Sequence, residues 1–111
     1  MNSRDEILDK EYCWEFDEKR KNAIITSYYK YGPSKENFKK GMVDAIGSLK
    51  KNLKKFEETG NTEFLVDVAN FAMIEFMFPK HPNAHFKGTD SGAVETVGTG
   101  INEILREAGD L

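Results

Sequence analysis

The segment from Phe64 to Phe78 decides most of what this chain can become. Leu65, Val66, Val68, Ala69, Phe71, Ala72, Met73, Ile74, Phe76 and Met77 leave few angular positions of a helix without an apolar side chain, and Pro79 stops it. A helix that is apolar all round must be covered on most sides. A chain of 111 residues can hardly supply that cover alone. The expectation is an all-α protein, a small helical bundle of about four helices completed by homo-oligomerisation.

Three polar residues break the apolar surface in a regular way. Glu63, Asp67 and Asn70 stand at i, i+4 and i+7, within roughly 60° of one another at about 100° of turn per residue. Two carboxylates side by side in a poorly solvated place repel and are desolvated, at a cost of several kcal/mol unless something compensates. A hard cation would do so. Magnesium takes oxygen ligands, typically one or two carboxylates with waters and substrate phosphates. The competing reading is structural: Glu63 solvated at the helix start, with Asp67 and Asn70 bonded to an arginine or a backbone group inside the bundle. Glu75 lies off this stripe and reads as a surface or interface charge.

The remaining chain supplies the other helices. Ser3 with Glu6 fits a capping box, so a first helix starts there, breaks or bends before Asp17 and runs to about Tyr31, with Ile24, Tyr28 and Tyr31 on its buried side. Gly32-Pro33 ends it. Ser34 is the expected cap of a second, uninterrupted helix. Its seam of Phe38, Met42, Ala45, Ile46, Leu49, Leu53 and Phe56 runs for about five turns. Gly41 and Gly47 inside it suggest close approach of another backbone. Gly60-Asn61 closes it, Asn61 or Thr62 caps the third helix over Thr62 to Phe78, and a last short helix begins near Thr99. The whole reads as a single all-helical domain over residues 1–111, with its core in 17–78 and a loop and short helix in 79–111.

Composition narrows the class. With 39% apolar and 32% charged residues the chain is neither disordered nor membrane-spanning. The net charge of −3 gives no reason to expect a nucleic-acid partner. The acidic start MNSRDEILDK lacks the basic-then-apolar layout of a signal peptide, and one cysteine, Cys13, cannot form an internal disulfide. Both lead to the expectation of a cytoplasmic protein. The lysines from Lys35 to Lys55 read as a solvated helix face, or as a surface drawing in phosphate-bearing ligands.

At the stripe the sequence resembles a known family. TEFLVDVANFAMIEF, residues 62–76, is similar to a core helix of MazG-like all-α nucleotide pyrophosphohydrolases and their nucleotide-modification-associated phage relatives, which carry an acidic residue and then an Asp-x-x-Asn-Tyr-Ala-like stretch. Here that stretch is Asp67-Val68-Ala69-Asn70-Phe71-Ala72. ITSYYKYGPS, residues 25–34, also looks like the turn ending their first helix. The resemblance implies magnesium-dependent cleavage of a nucleoside triphosphate to monophosphate and pyrophosphate. It makes Glu63 and Asp67 catalytic metal ligands, with Asn70, Lys30, Tyr31 and Lys54 contacting the nucleotide. These enzymes also bring a Glu-x-x-Glu pair from the preceding helix. No such pair lies on the second helix before Glu63, and Asp17, in line with Ile24 and Tyr28 on the first helix, is the candidate substitute ligand. Without catalysis, the alternative is a homo-oligomeric interaction or accessory protein.

Smaller features carry less. His81 and His85 flank Pro82 and lack a third metal-ligating neighbour, so loop packing is their expected role. Gly88-Thr89-Asp90-Ser91-Gly92 lacks the lysine and context of a phosphate loop. Tyr28, Tyr29 and Tyr31 could stack on a base but fit bundle packing better.

Overall fold

The computed structural model describes residues 3–89, and the helix expected near Thr99 lies outside them. Among the described residues there are five helices and no strand: α1 Arg4–Glu11, α2 Trp14–Tyr31, α3 Ser34–Lys39, α4 Ala45–Thr59 and α5 Glu63–Met77. None of them is long and apolar enough to cross a membrane.

Each boundary has a local cause. Ser3 Oγ accepts from the Glu6 N–H at 3.3 Å and starts α1. The interruption expected before Asp17 is a full break, where Tyr12 is extended and Cys13 Sγ accepts from the Phe16 N–H at 3.3 Å. Cys13 is therefore an exposed helix cap. After α2 ends at Gly32, Pro33 takes the cap position of α3 and Ser34 is already helical.

The uninterrupted second helix does not form. It is two helices, α3 and α4, separated by residues 40–44. Gly41 adopts φ +75°, a left-handed conformation that a side chain would strain. Asn37 O then accepts from the N–H groups of both Met42 and Val43, at 3.1 and 3.2 Å. Asp44 restarts the helix by accepting from the Gly47 N–H at 3.0 Å. The expected backbone contacts at the two glycines are absent as well. A Cβ on Gly47 would lie 2.5 Å from Asp44 Oδ2, so the capping carboxylate needs the glycine; one on Gly41 would meet only Lys80 Nζ at 3.9 Å. Met42, which continued the seam on paper, is exposed on the linker.

The α4–α5 hairpin behaves as read. Gly60 closes α4 in the left-handed conformation, its N–H bonded to Phe56 O at 2.7 Å. Asn61 Oδ1 accepts from the Glu63 N–H at 3.0 Å, and Thr62 makes no side-chain capping bond. α4 packs along α5 on one side, and α2 leans on α5 from another. Phe38, Ala45 and Ile74 form the core cluster, with Phe71 and Phe78 against it; the rings of Phe38 and Phe71 lie 6.1 Å apart. The core is thin. Phe38, Ala45, Val66 and Ile74 are the buried apolar residues described, while Phe76 on the apolar helix itself remains 73% exposed.

Candidate functional site

α5 turns its polar stripe toward α2, and the three residues meet different surroundings. Glu63, at the first turn, is exposed; Asp67 is half-buried; Asn70 is buried at 8% exposure. Asn70 is fully engaged by Arg20 of α2. Arg20 Nε donates to Asn70 Oδ1 at 3.1 Å, and Asn70 Nδ2 donates back to Arg20 O at 3.2 Å. The Arg20 guanidinium also reaches Met73 Sδ at 3.4 Å. Asn70 thus makes the bond to an arginine inside the bundle that the structural reading expects, and it also lines the apolar groove. Arg20 was not singled out from the sequence, although it shares a helix face with Ala23 and Ser27, three and seven residues on, which also line the α2–α5 groove.

Asp67 is in a different position. Burial pushes its carboxyl above the ordinary carboxylate value, and the negative charge of Glu63 pushes it further. No cation acts on it strongly enough to offset these two effects. Its position explains why. Asp67 stands on the divide between two grooves separating α2 from α5, and lines both. One groove, of about 380 Å3, is walled by Ile24, Tyr31, Phe38, Phe71, Ile74 and Met77 and has no lysine, arginine or histidine in its lining. The other, of about 630 Å3, mixes apolar Phe16, Leu65 and Val66 with polar Lys19, Asn22 and Asn61 and the carboxylates of Glu15 and Glu63.

The other expected site residues are scattered. Asp17 is taken by its own helix and the turn before it: Lys21 Nζ lies 3.2 Å from Asp17 Oδ2, and the Tyr12 hydroxyl donates to the same carboxylate. These two partners hold Asp17 below its ordinary value. It lines neither groove that Asp67 lines. Tyr31 does line the apolar groove, and Asn37 Nδ2 donates to its carbonyl at 3.0 Å. Lys30 and Lys54 are exposed and line neither groove.

A magnesium ion is compatible with the donors at Glu63 and Asp67, since it accepts two carboxylates and completes its shell with water and phosphate oxygens. Among the described residues no group of three or more His, Cys, Asp or Glu is placed to hold a metal by itself. His81 and His85 engage their own loop, with ring nitrogens 3.0 Å from the Asn83 N–H and 2.8 Å from Asn83 O. Glu75 is not a freely exposed surface charge. It is half-buried, with Oε2 accepting from the Lys80 N–H at 2.7 Å and Oε1 buried without a partner.

Comparison with protein-family models, with curated proteins and with solved structures gives no match.

Proposed function

We propose that the protein binds a magnesium–nucleotide complex at the acidic edge of α5, and that it is a MazG-like pyrophosphohydrolase or a binding relative of one. The observation that carries this reading is Asp67: a half-buried carboxyl, raised by desolvation and by Glu63, that lines both an aromatic groove and a second groove shared with Glu15 and Glu63. A site with that charge imbalance favours a cation. Glu63 and Asp67 would hold the metal, which when bound supplies Lewis acidity and an activated water. The cation-free groove beside Tyr31, Phe38 and Phe71 suits an uncharged flat base, and in the other groove Glu15, Glu63 and Asp67 outnumber Lys19, so phosphate oxygens would enter it only with the metal that neutralises them. The similarity of residues 62–76 to the family's core helix supports the same reading.

The test is a panel of nucleoside triphosphates with magnesium, followed by thermal shift and by pyrophosphate release. Stabilisation that needs both metal and nucleotide, and that Asp67→Asn abolishes, is expected. Stabilisation without pyrophosphate release would leave binding and remove catalysis. Absence of both ends the proposal.

A second reading is favoured by a separate observation, the thin core. Trp14, Ile25, Tyr28, Tyr29 and Phe76 all remain more than half exposed in a single chain. An apolar surface of this extent marks an interaction face. In this reading the protein is a homo-oligomeric helical module, and its assembly state in solution is the test.

A further inference from the structure

We infer that α2 is the contact helix of a symmetric dimer, packing antiparallel on α2 of a second copy. The inference rests on the homo-oligomer reading above and names its surface. It does not depend on nucleotide binding.

The argument begins with the two sides of α2. One side faces α5, where Arg20 bonds Asn70, and Ala23 and Ser27 line the apolar groove. At about 100° per residue, Trp14, Glu18, Lys21 and Ile25 fall on the opposite side, followed by Tyr28 and Tyr29. All six are exposed, Tyr29 at 83%. Single exposed apolar residues are ordinary, but a tryptophan, an isoleucine and two tyrosines on one helix face form a patch. The tyrosine rings are already packed edge to face, with centroids 5.9 Å apart.

The order along this face supplies the occupant. It reads apolar, acidic, basic, apolar at steps of four, three and four: Trp14, Glu18, Lys21, Ile25. That order is complementary to itself when reversed. With a two-fold axis between residues 18 and 21, Trp14 meets Ile25 of the second copy and Glu18 meets Lys21 of the second copy, and each contact occurs twice. An isologous interface requires such a self-complementary patch. Steps of three and four are the spacing of an antiparallel helix seam, in which charged pairs fix orientation and register. A parallel pairing would set Glu18 on Glu18 and Lys21 on Lys21, so the charges select the antiparallel form. Lys21 already pairs with Asp17 at 3.2 Å, yet its side chain stays 64% exposed and open to a second carboxylate. The helix of 18 residues offers about 27 Å of contact length.

Charge reversal on the full-length chain tests this, with dimerisation followed by analytical ultracentrifugation over a wide concentration range. Glu18→Lys sets lysine against Lys21 at both ends of the seam, and Lys21→Glu sets carboxylate against Glu18. Each should weaken dimerisation by about tenfold or more, and the double swap should restore it. Circular dichroism checks that helix content is kept. As an independent readout, cysteines at Trp14 and Ile25 in a Cys13→Ser background lie too far apart on one helix to join within a chain, so oxidation should give a covalent dimer. A wild-type chain that stays monomeric overturns both this inference and the oligomer reading. An oligomer indifferent to charge reversal and uncrosslinked by that cysteine pair overturns this inference alone.

Discussion

The α4–α5 hairpin and the arm made by α1 and α2 are built from similar amounts of helix, yet they hold their shape in different ways. The hairpin and the short α3 beside it bury Phe38, Ala45, Val66 and Ile74, whereas neither α1 nor α2 contains a buried residue. The arm is kept helical by local devices: the Ser3 and Cys13 caps, the Lys19–Glu15 and Lys21–Asp17 pairs and the Tyr12–Trp14 ring contact. Such devices stabilise a helix by tenths of a kcal/mol for each pair and up to about 1 kcal/mol for a cap, and do not fix where it lies. Position comes from packing, and for α2 that is its contact with α5, anchored by Arg20 on Asn70. A helix can thus be well formed and weakly attached at once.

The difference can be put to measurement, beginning with the largest effect. Ile74→Ala removes a core side chain and should cost about 2–4 kcal/mol in denaturant unfolding, while Ile7→Ala on the arm should stay within about 0.5 kcal/mol. Comparable losses at the two sites would mean that the arm is packed more tightly than its exposure implies. Arg20→Ala comes next. It strips a buried amide of its side-chain partner and should cost about 1–3 kcal/mol; a neutral result would show that Asn70 finds another donor when α2 loosens. Asp44→Ala removes the cap that restarts the helix after Gly41, for about 1 kcal/mol. Loss of helical signal confined to the first turn of α4 would locate that effect.

The smallest effect separates the two aspartates by sign. The carboxyl of Asp67 is raised in the native state, so its ionisation opposes folding. The stability this group contributes is complete below its unfolded pKa and is lost as pH rises through the higher folded value. Asp67→Asn should therefore raise the midpoint of thermal unfolding at neutral pH and leave it unchanged under strongly acidic conditions. Asp17 is lowered by Tyr12 and Lys21, so its contribution is present above its unfolded pKa and fades as pH falls through the folded one. Asp17→Asn should lower the midpoint at neutral pH and flatten its fall under acid. Opposite shifts in the two variants would establish that the two carboxyls meet opposite surroundings.

Most of the helices were legible because the signals were local. Proline at 79, glycine at 60 and the all-round apolar run from Phe64 fixed α5 to within a residue at each end. The split between α3 and α4 was not legible. The apolar spacing of Phe38, Met42 and Ala45 continues across the break as if the helix did, and periodicity cannot see a backbone turn at Gly41. Asp44 followed by Gly47 was the available signal, an N-cap with room for its own carboxylate. At the site, the stripe was correctly placed on one helix face. Its division into an anchored Asn70 and a strained Asp67 depended on which α2 side chain faces each, and no pattern within α5 encodes that. Asp17, the candidate substitute ligand on the first helix, is held instead by Tyr12 and Lys21.

The Arg20–Asn70 contact joins positions fifty apart in the chain, while the hairpin partners α4 and α5 are sequence neighbours. Closing a long loop is entropically harder than closing a short one, so the hairpin should assemble early and α2 should dock late. A contact made after the rate-limiting step governs how fast the native state opens, not how fast it forms. The groove beside Asp67 would then breathe on the timescale of α2 detachment, and amide exchange should release α2 protons before those of α4 and α5.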